Sequence, residues 1–232
     1  GNSFKQSIRH RVELDERDHP TMPTQGFYVS TDSEIAGLFQ LGDARFLRTE
    51  SAAQFHFPLL KAQISSVGED DGSNVKAVVS VSGKAGILVP FGGQDKVQIH
   101  ERFFIGGPNS FRGFRTKGVG ARDGNDSLGS EFYYTIHSAV SFGLPQKLVP
   151  VKWFNAKVQV FATIGDALMS FQVLERLNSF TKRDQNGGIP NLYKSTRIST
   201  GLGLVLEIPI GRLELNLCRV LRSTDADSIK TG

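Results

Sequence analysis

Residues 130–144 read Ser-Glu-Phe-Tyr-Tyr-Thr-Ile-His-Ser-Ala-Val-Ser-Phe-Gly-Leu. Phe132, Tyr134, Ile136, Val140, Phe142 and Leu144 fall on one parity, and Thr135, His137, Ser141 and Gly143 on the other. A period of two sustained over this length predicts a β-strand with one apolar face. The pattern recurs downstream. Lys152 to Gly165 groups Val158, Val160, Ala162 and Ile164, and Lys194 to Ile208 groups Ile198, Leu202, Leu204, Leu206 and Ile208. Arg212 to Leu221 sets Leu213, Leu215 and Leu217 opposite Glu214 and Asn216. Upstream, Phe4 to Glu16 alternates Ile8, His10, Val12 and Leu14 with Arg9, Arg11, Glu13 and Asp15. Gln25 to Leu38, Ala44 to Leu60 and Val75 to Val89 complete a set of eight expected strands. Each is roughly ten residues or more, the length a tilted membrane-spanning strand needs.

The connections between them are uneven. Ile208 to Gly211 is a tight hairpin and Pro145 to Val151 is short, whereas Pro90 to Gly129 and Asp166 to Tyr193 are long. Long and short alternate, which puts the long ones at one end of the sheet, as in a transmembrane barrel. Alternation alone does not tell an outward apolar face from an inward one. A soluble barrel or sandwich around a small apolar ligand has the same pattern. Strands longer than the five or six residues common in soluble sheets favour the membrane. So do the nearly unbroken aliphatic faces at Val158–Ile164 and Leu202–Ile208.

The fold class expected is therefore all-β: an antiparallel transmembrane β-barrel, represented in part, forming one domain over residues 1–232. With 25 Gly and 17 Phe among 232 residues, the chain has the composition of many turns joining aromatic-bearing strands. A mean hydropathy of −0.20 fits a barrel, in which only alternate residues face lipid. No apolar run reaches the roughly 18 residues of a spanning helix. The net charge of +4 is mild and its basic residues form no block, so nucleic acid is not an expected partner. The lone Cys218 excludes an internal disulfide. His10, His19, His56, His100 and His137 lack metal-ligand spacing, and no nucleophile elbow or phosphate loop appears. No metal, cofactor or enzymatic activity is expected. Asp123 to Ser127 reads as an exposed tip rather than a calcium loop.

One connection has a different character. Glu101 to Gly120 reads Glu-Arg-Phe-Phe-Ile-Gly-Gly-Pro-Asn-Ser-Phe-Arg-Gly-Phe-Arg-Thr-Lys-Gly-Val-Gly. Gly106-Gly107-Pro108 supplies tight-turn chemistry, and four Phe with one Ile supply material for burial. A surface loop packing its own aromatics is one reading. The other is a loop folded back into the protein, in which case Arg112 requires an acceptor, because an unpaired buried charge is costly.

Gly106-Gly107-Pro108 followed by Phe111-Arg112-Gly113-Phe114 resembles the signature loop of the outer-membrane barrel insertase superfamily. That group spans bacterial barrel-assembly and two-partner-secretion transporters and the mitochondrial sorting-and-assembly-machinery barrel. Phe111 stands where Val or Ile is more usual. The likeness covers essentially the whole chain. Asp15, Arg17, Asp18, Pro23 and Gly26 resemble the family's Asp-x-Arg-Asp turn, and Arg102 to Pro108 resembles the approach to the loop, here bounded as 90–129. Leu213 to Cys218 is similar to the penultimate strand of the mitochondrial branch.

The resemblance implies a barrel of sixteen strands, of which these would be the eighth to the fifteenth. Seven strands and a soluble transport-associated domain would precede Gly1, and the last strand would follow Gly232. It implies insertion of β-barrel precursors into the mitochondrial outer membrane, by strand pairing at a lateral gate between first and last strands. Implied partners are those precursors, accessory subunits of the sorting and assembly complex, inner-membrane organising proteins and membrane lipid. Arg9, Arg11, Lys61, Lys147 and Lys152 are candidates for headgroup contact or ordinary solvated charge. A bacterial assembly or secretion barrel of the same superfamily is the alternative within the group.

In the family the loop arginine folds into the barrel and meets an inward acidic or amide residue within a Phe-x-Asp-x-Gly pattern. Here Phe161, Thr163 and Gly165 match that strand, with Thr163 at the acidic position. A hydroxyl cannot neutralise a guanidinium. Arg112 is expected to be hydrated or rearranged, with Glu131, Asp166 and Glu207 as candidate carboxylates.

Overall fold

The computed structural model describes residues 4–38, 42–62, 75–93, 97–144, 155–169, 195–208 and 211–230. Eight long strands form one antiparallel sheet: β1 (Ser7–Asp15), β2 (Gly26–Ala36), β3 (Phe46–Ala62), β4 (Val75–Pro90), β7 (Phe132–Gly143), β8 (Asn155–Leu168), β9 (Arg197–Ile208) and β10 (Gly211–Arg222). Between β4 and β7, β5 (Arg122–Asp123) and β6 (Asp126–Ser127) make a two-stranded tip. Spatial order follows sequence order throughout, an up-and-down meander. Among the described residues β1 pairs only with β2 and β10 only with β9.

The alternation sets which face each residue takes. Along β8, Val158, Val160 and Ile164 are exposed, whereas Phe161 and Thr163 are 2% and 1% exposed. The same holds on β10, where Leu213, Leu215 and Leu217 are all exposed. Leu204 and Leu206 on β9 are partly exposed, and Ser199 is fully buried. The aliphatic face therefore points away from the interior and the polar face lines it. This inverts the soluble carrier, whose apolar face would be sealed inside; that expectation is corrected here. In water such a surface would carry far more apolar area than a soluble monomer exposes, and hydrocarbon is its matching solvent.

Strand bounds differ from the sequence reading mainly at β8, which runs past Gly165 to Leu168. Asp166 does not end the strand, because its buried carboxylate is held by Arg197 and by the Ser195 hydroxyl at 2.7 Å. In β3 the register shifts between Pro58 and Leu60, as a proline without an N–H would cause. Arg9 and Arg11, candidates for headgroup contact or solvated charge, are both ion-paired. Arg9 pairs with Asp32 (Nε to Oδ1 2.7 Å) and Arg11 with Glu13 (2.9 Å), on the inward parity. Lys147 and Lys152, the Pro145–Val151 turn and most of the Asp166–Tyr193 connection lie outside the described residues, as does the side chain of Lys61.

The hydrophobic core is neither between two sheets nor along the strands. It lies where the β4–β7 loop meets the inner wall, and contains Phe46, Leu88 and Tyr133 from strands with Phe103, Ile105, Phe111, Phe114 and Val119 from the loop. The loop is thus folded back and buried.

Candidate functional site

Backbone pairing ties the loop down in steps. Phe103 and Ser130 exchange N–H···O bonds of 2.9 and 2.8 Å, and Val119 donates to the Ile105 carbonyl at 3.0 Å. Gly106 and Gly107 then turn the chain with φ of +118° and +103°. A Cβ on Gly106 would lie 2.5 Å from the Arg115 carbonyl oxygen, so that position accepts only glycine. Phe111 N–H donates to the Gly107 carbonyl at 3.0 Å, closing the tip around Pro108, Asn109 and Ser110.

Past the tip, Phe111 and Phe114 pack edge to face, with ring centroids 4.9 Å apart, and both are buried. Such a pair adds about 0.5–1.5 kcal/mol beyond its area. Phe111 lies over Gly165, where a Cβ would come within 3.0 Å of its ring. Gly113, at φ +93°, presses against the wall at Ser199, Cys218 and Val220. The loop residues Gly106, Gly107, Phe111, Arg112, Gly113 and Phe114 and the strand residues Phe161, Thr163 and Gly165 are thereby brought into one neighbourhood.

Arg112 reaches three strands. Its guanidinium sits 4.9 Å from the centre of the Phe161 ring on β8. Its Nη2 donates to Glu214 Oε2 on β10 at 2.6 Å, and its Nη1 to His137 Nε2 on β7 at 2.9 Å. A guanidinium only donates. His137 Nε2 is therefore an acceptor, its proton sits on Nδ1, and Nδ1 donates to Thr163 Oγ1 at 3.0 Å. The histidine thus bridges Arg112 to Thr163 on β8, and the carboxylate facing Arg112 is on β10.

None of the three candidate carboxylates pairs with Arg112. Glu131 lies 3.6 Å from Arg102, Asp166 is engaged by Arg197, and Glu207 accepts from Asn155 at 3.1 Å and from Thr21. All three sit near strand ends and are occupied by nearer donors. Sequence reasoning also missed His137 as a direct ligand of Arg112. The signal for Glu214 was available: it is acidic, in mid-strand and on the inward parity.

A second set of contacts, also unread in the sequence, holds the loop from the outside. Residues 223–230 lie along it: Arg115 N–H donates to Ser228 O at 2.9 Å, Ser228 N–H to Gly118 O at 2.7 Å and Lys230 N–H to Gly113 O at 3.1 Å. Arg197 anchors this tail, donating to both Asp227 oxygens at 3.0 and 3.1 Å while also meeting Asp166. Burial by itself would raise the Asp227 carboxyl. Arg197 and the N–H groups of Thr224 and Gly120 outweigh that and hold it below the usual carboxylate range.

Below the loop two adjoining cavities of about 270 and 240 Å³ share Arg112, His137 and Glu214 in their walls. Both are lined largely by polar groups such as Gln54 and Ser82. Among the described residues no group of three or more His, Cys, Asp or Glu could hold a metal ion. The arrangement is a buried loop whose arginine is clamped inside a polar-walled sheet with an apolar outer face.

The Omp85 superfamily domain matches residues 1–232. A SAM50-like protein of Schizosaccharomyces pombe is 33% identical over 233 residues, covering 100% of this chain and 44% of the relative. The sorting assembly machinery 50 kDa subunit of Saccharomyces cerevisiae is 27% identical, over 100% of this chain and 42% of its own length. The human sorting and assembly machinery component 50 homolog is 28% identical, with 45% of its length covered. The chain thus spans less than half the length of these relatives. Among solved structures, BamA of Haemophilus ducreyi lacking POTRA domains 1–3 superposes with a TM-score of 0.70 at 17% identity, over 97% of this chain and 40% of that one. The match of the family over every residue, on a sheet of the same fold, makes this chain a member of the Omp85 superfamily.

Proposed function

We propose that this chain is the carboxyl-terminal portion of a mitochondrial outer-membrane barrel that inserts and assembles β-barrel precursors. The relatives named for the sorting and assembly machinery support the compartment and the class of substrate. The inverted polarity of the sheet, aliphatic outside and polar inside, supports residence in lipid. In this reading the work is non-enzymatic: precursors add strand by strand at a lateral gate, driven by backbone pairing, and no cofactor takes part. The partners are barrel precursors, accessory subunits of the sorting and assembly complex, inner-membrane organising proteins and lipid. Phe111 to Phe114, with Gly106 and Gly107, brace the lumen against Phe161, Thr163 and Gly165 and guide precursors towards the gate.

The observation that carries the proposal is the Arg112 loop docked on the inner wall through Glu214 and His137. The test replaces the matching segment of the yeast sorting assembly machinery 50 kDa subunit with residues 1–232 and measures assembly of barrel precursors in isolated mitochondria. The chimaera should restore assembly, and its Arg112→Ala form should not. A chimaera that folds in the outer membrane yet assembles nothing would reject the proposal. Assembly by residues 1–232 unaided would reject the assignment of the gate to strands outside them.

A further inference from the structure

The turn between β1 and β2 does not stay at its own edge of the sheet. Asp18 fastens its base, with Thr24 N–H donating to Oδ1 at 2.8 Å and Asp18 N–H donating to Gln25 O at 3.2 Å. From there residues 19–23 cross the concave face and dock on β8, β9 and β10, which are separated from β2 by β3, β4 and β7 in the sheet. Lys157 Nζ donates to the Met22 carbonyl at 3.1 Å, Arg212 Nη1 to the Thr21 carbonyl at 2.9 Å, and the Thr21 hydroxyl to Glu207. Met22 is 7% exposed, so the strap is packed rather than merely draped.

Arg212 makes a second contact, 2.6 Å from Glu214 Oε1. The other oxygen of Glu214 holds Arg112. One carboxylate therefore clamps two arginines, one bound to the strap that enters from the turn end and one on the loop that enters from the other end. The cavity of about 240 Å³ between them is walled by Met22 and Pro23 on one side and Arg112 on the other.

We infer that the residue 18–25 strap is a positioning element for the Arg112 loop, and that Arg212 is the positioning residue that couples the two through Glu214. This rests on the proposed function only in taking the loop as the working part. A clamp shared in this way makes the two docked states support each other: a carboxylate already oriented by Arg212 is presented to Arg112, and the reverse. Coupling of this kind is reciprocal by thermodynamic necessity.

The test uses the full-length protein with Cys218→Ser in lipid nanodiscs, with a spin label at the exposed loop-tip residue Asn109 in one sample and at the exposed strap residue Gln25 in another, and the mobile-to-immobile ratio of the label read by electron paramagnetic resonance. Arg212→Gln, which keeps the side chain's length and leaves the strap sequence intact, should raise the ratio at Asn109 by about fivefold, the low end of coupling between sites. Thr21→Ala with Met22→Ala should do the same, and Arg112→Gln should raise the ratio at Gln25. Combining Arg212→Gln with the strap pair should add little at Asn109. Heat-modifiable gel mobility reports that each variant is folded. If the strap pair does not fold, the Arg212→Gln and Arg112→Gln arms decide alone. An unchanged Asn109 signal in folded Arg212→Gln overturns the inference, even if precursor assembly proceeds as proposed. Loss of assembly in the untouched protein leaves the label result to stand by itself.

Discussion

Arg112 and Glu214 lie 102 residues apart in the chain and 2.6 Å apart in space, joining the loop to the last strand of the sheet. Their side chains are 16% and 24% exposed, so the pair is screened less than a surface ion pair and costs less to desolvate than a sealed one. A hydrogen bond to a charged group contributes about 1.5–3 kcal/mol. Thermal unfolding of the full-length barrel in detergent should give a coupling of about that size between Arg112→Ala and Glu214→Ala. Arg112 and Thr163 meet only through His137, and their coupling should fall below about 1 kcal/mol. Equal coupling in the two cycles would return the arginine's charge partner to β8.

Gly165 is fixed by two neighbours of different kinds. A Cβ there would come 2.5 Å from the Tyr134 carbonyl oxygen and 3.0 Å from the Phe111 ring. The ring can tilt, but the carbonyl is held by the β-ladder. Gly165→Ala should therefore lower stability by about 1–3 kcal/mol, as overpacking does, and Phe111→Leu should not rescue it. Gly143, whose Cβ would meet nothing within 4 Å, is the control; its change to Ala should stay within about 0.5 kcal/mol. Unfolding midpoints of the two variants decide the matter.

The sheet was legible because a β-barrel writes its fold twice in the sequence, once in the period of two and once in the alternation of long and short connections. Val158 to Ile164 announced a strand and favoured a lipid face, and the exposure of Val158, Val160 and Ile164 decided which side it is. The loop's burial was half legible: Phe111 and Phe114 asked for a core, but only coordinates show that the inner wall supplies it. The partner of Arg112 was misplaced for a physical reason. Glu131 is near the loop in sequence and Asp166 adjoins the Phe161–Gly165 motif, whereas a curved sheet brings β10 over the loop, a closeness that depends on strand order and stagger. Arg197 with Asp166 and Asp227 was hidden in the same way, because residues 223–230 carry no period that shows they lie along a loop a hundred residues earlier.

Acid should reach the two ends of the structure through carboxylates held below their ordinary range. Asp18, outside the strands, is lowered to about 2: burial opposes its charge, and the Thr24 hydroxyl with the N–H groups of Thr24, Gln25 and His19 outweighs burial. Asp227 is lowered as well. A carboxylate depressed on folding contributes stability that is whole above its unfolded value of about 3.9 and is lost as pH falls through the folded value. The unfolding midpoint should therefore drop as pH falls below about 4. The gap between the parent protein and Asp18→Asn should close as pH approaches 2, the value to which Asp18 is lowered. No gap between the two at neutral pH would assign the strap's stability to packing of Met22 instead.

Gly113 offers a direct reading of whether the loop is docked. A Cβ built there lies 3.5 Å from the Cβ of Cys218, a free and exposed thiol on β10. Disulfides take Cβ separations of about 3.5–4.5 Å. Gly113→Cys should therefore close a bond to Cys218 under mild oxidation, seen as a faster band on a non-reducing gel and absent in Gly113→Cys with Cys218→Ser. The φ of +93° and a Val220 methyl at 3.0 Å both resist a side chain at this position. That strain makes the bond easier to reduce, and changing Val220 to Ala should relieve part of it. Adding Glu214→Gln frees the loop from β10 and should slow closure by about tenfold, the effect of roughly 1.4 kcal/mol. Rapid closure that ignores Glu214 would mean the aromatic pair Phe111 and Phe114, not the Arg112 clamp, holds the loop against the wall.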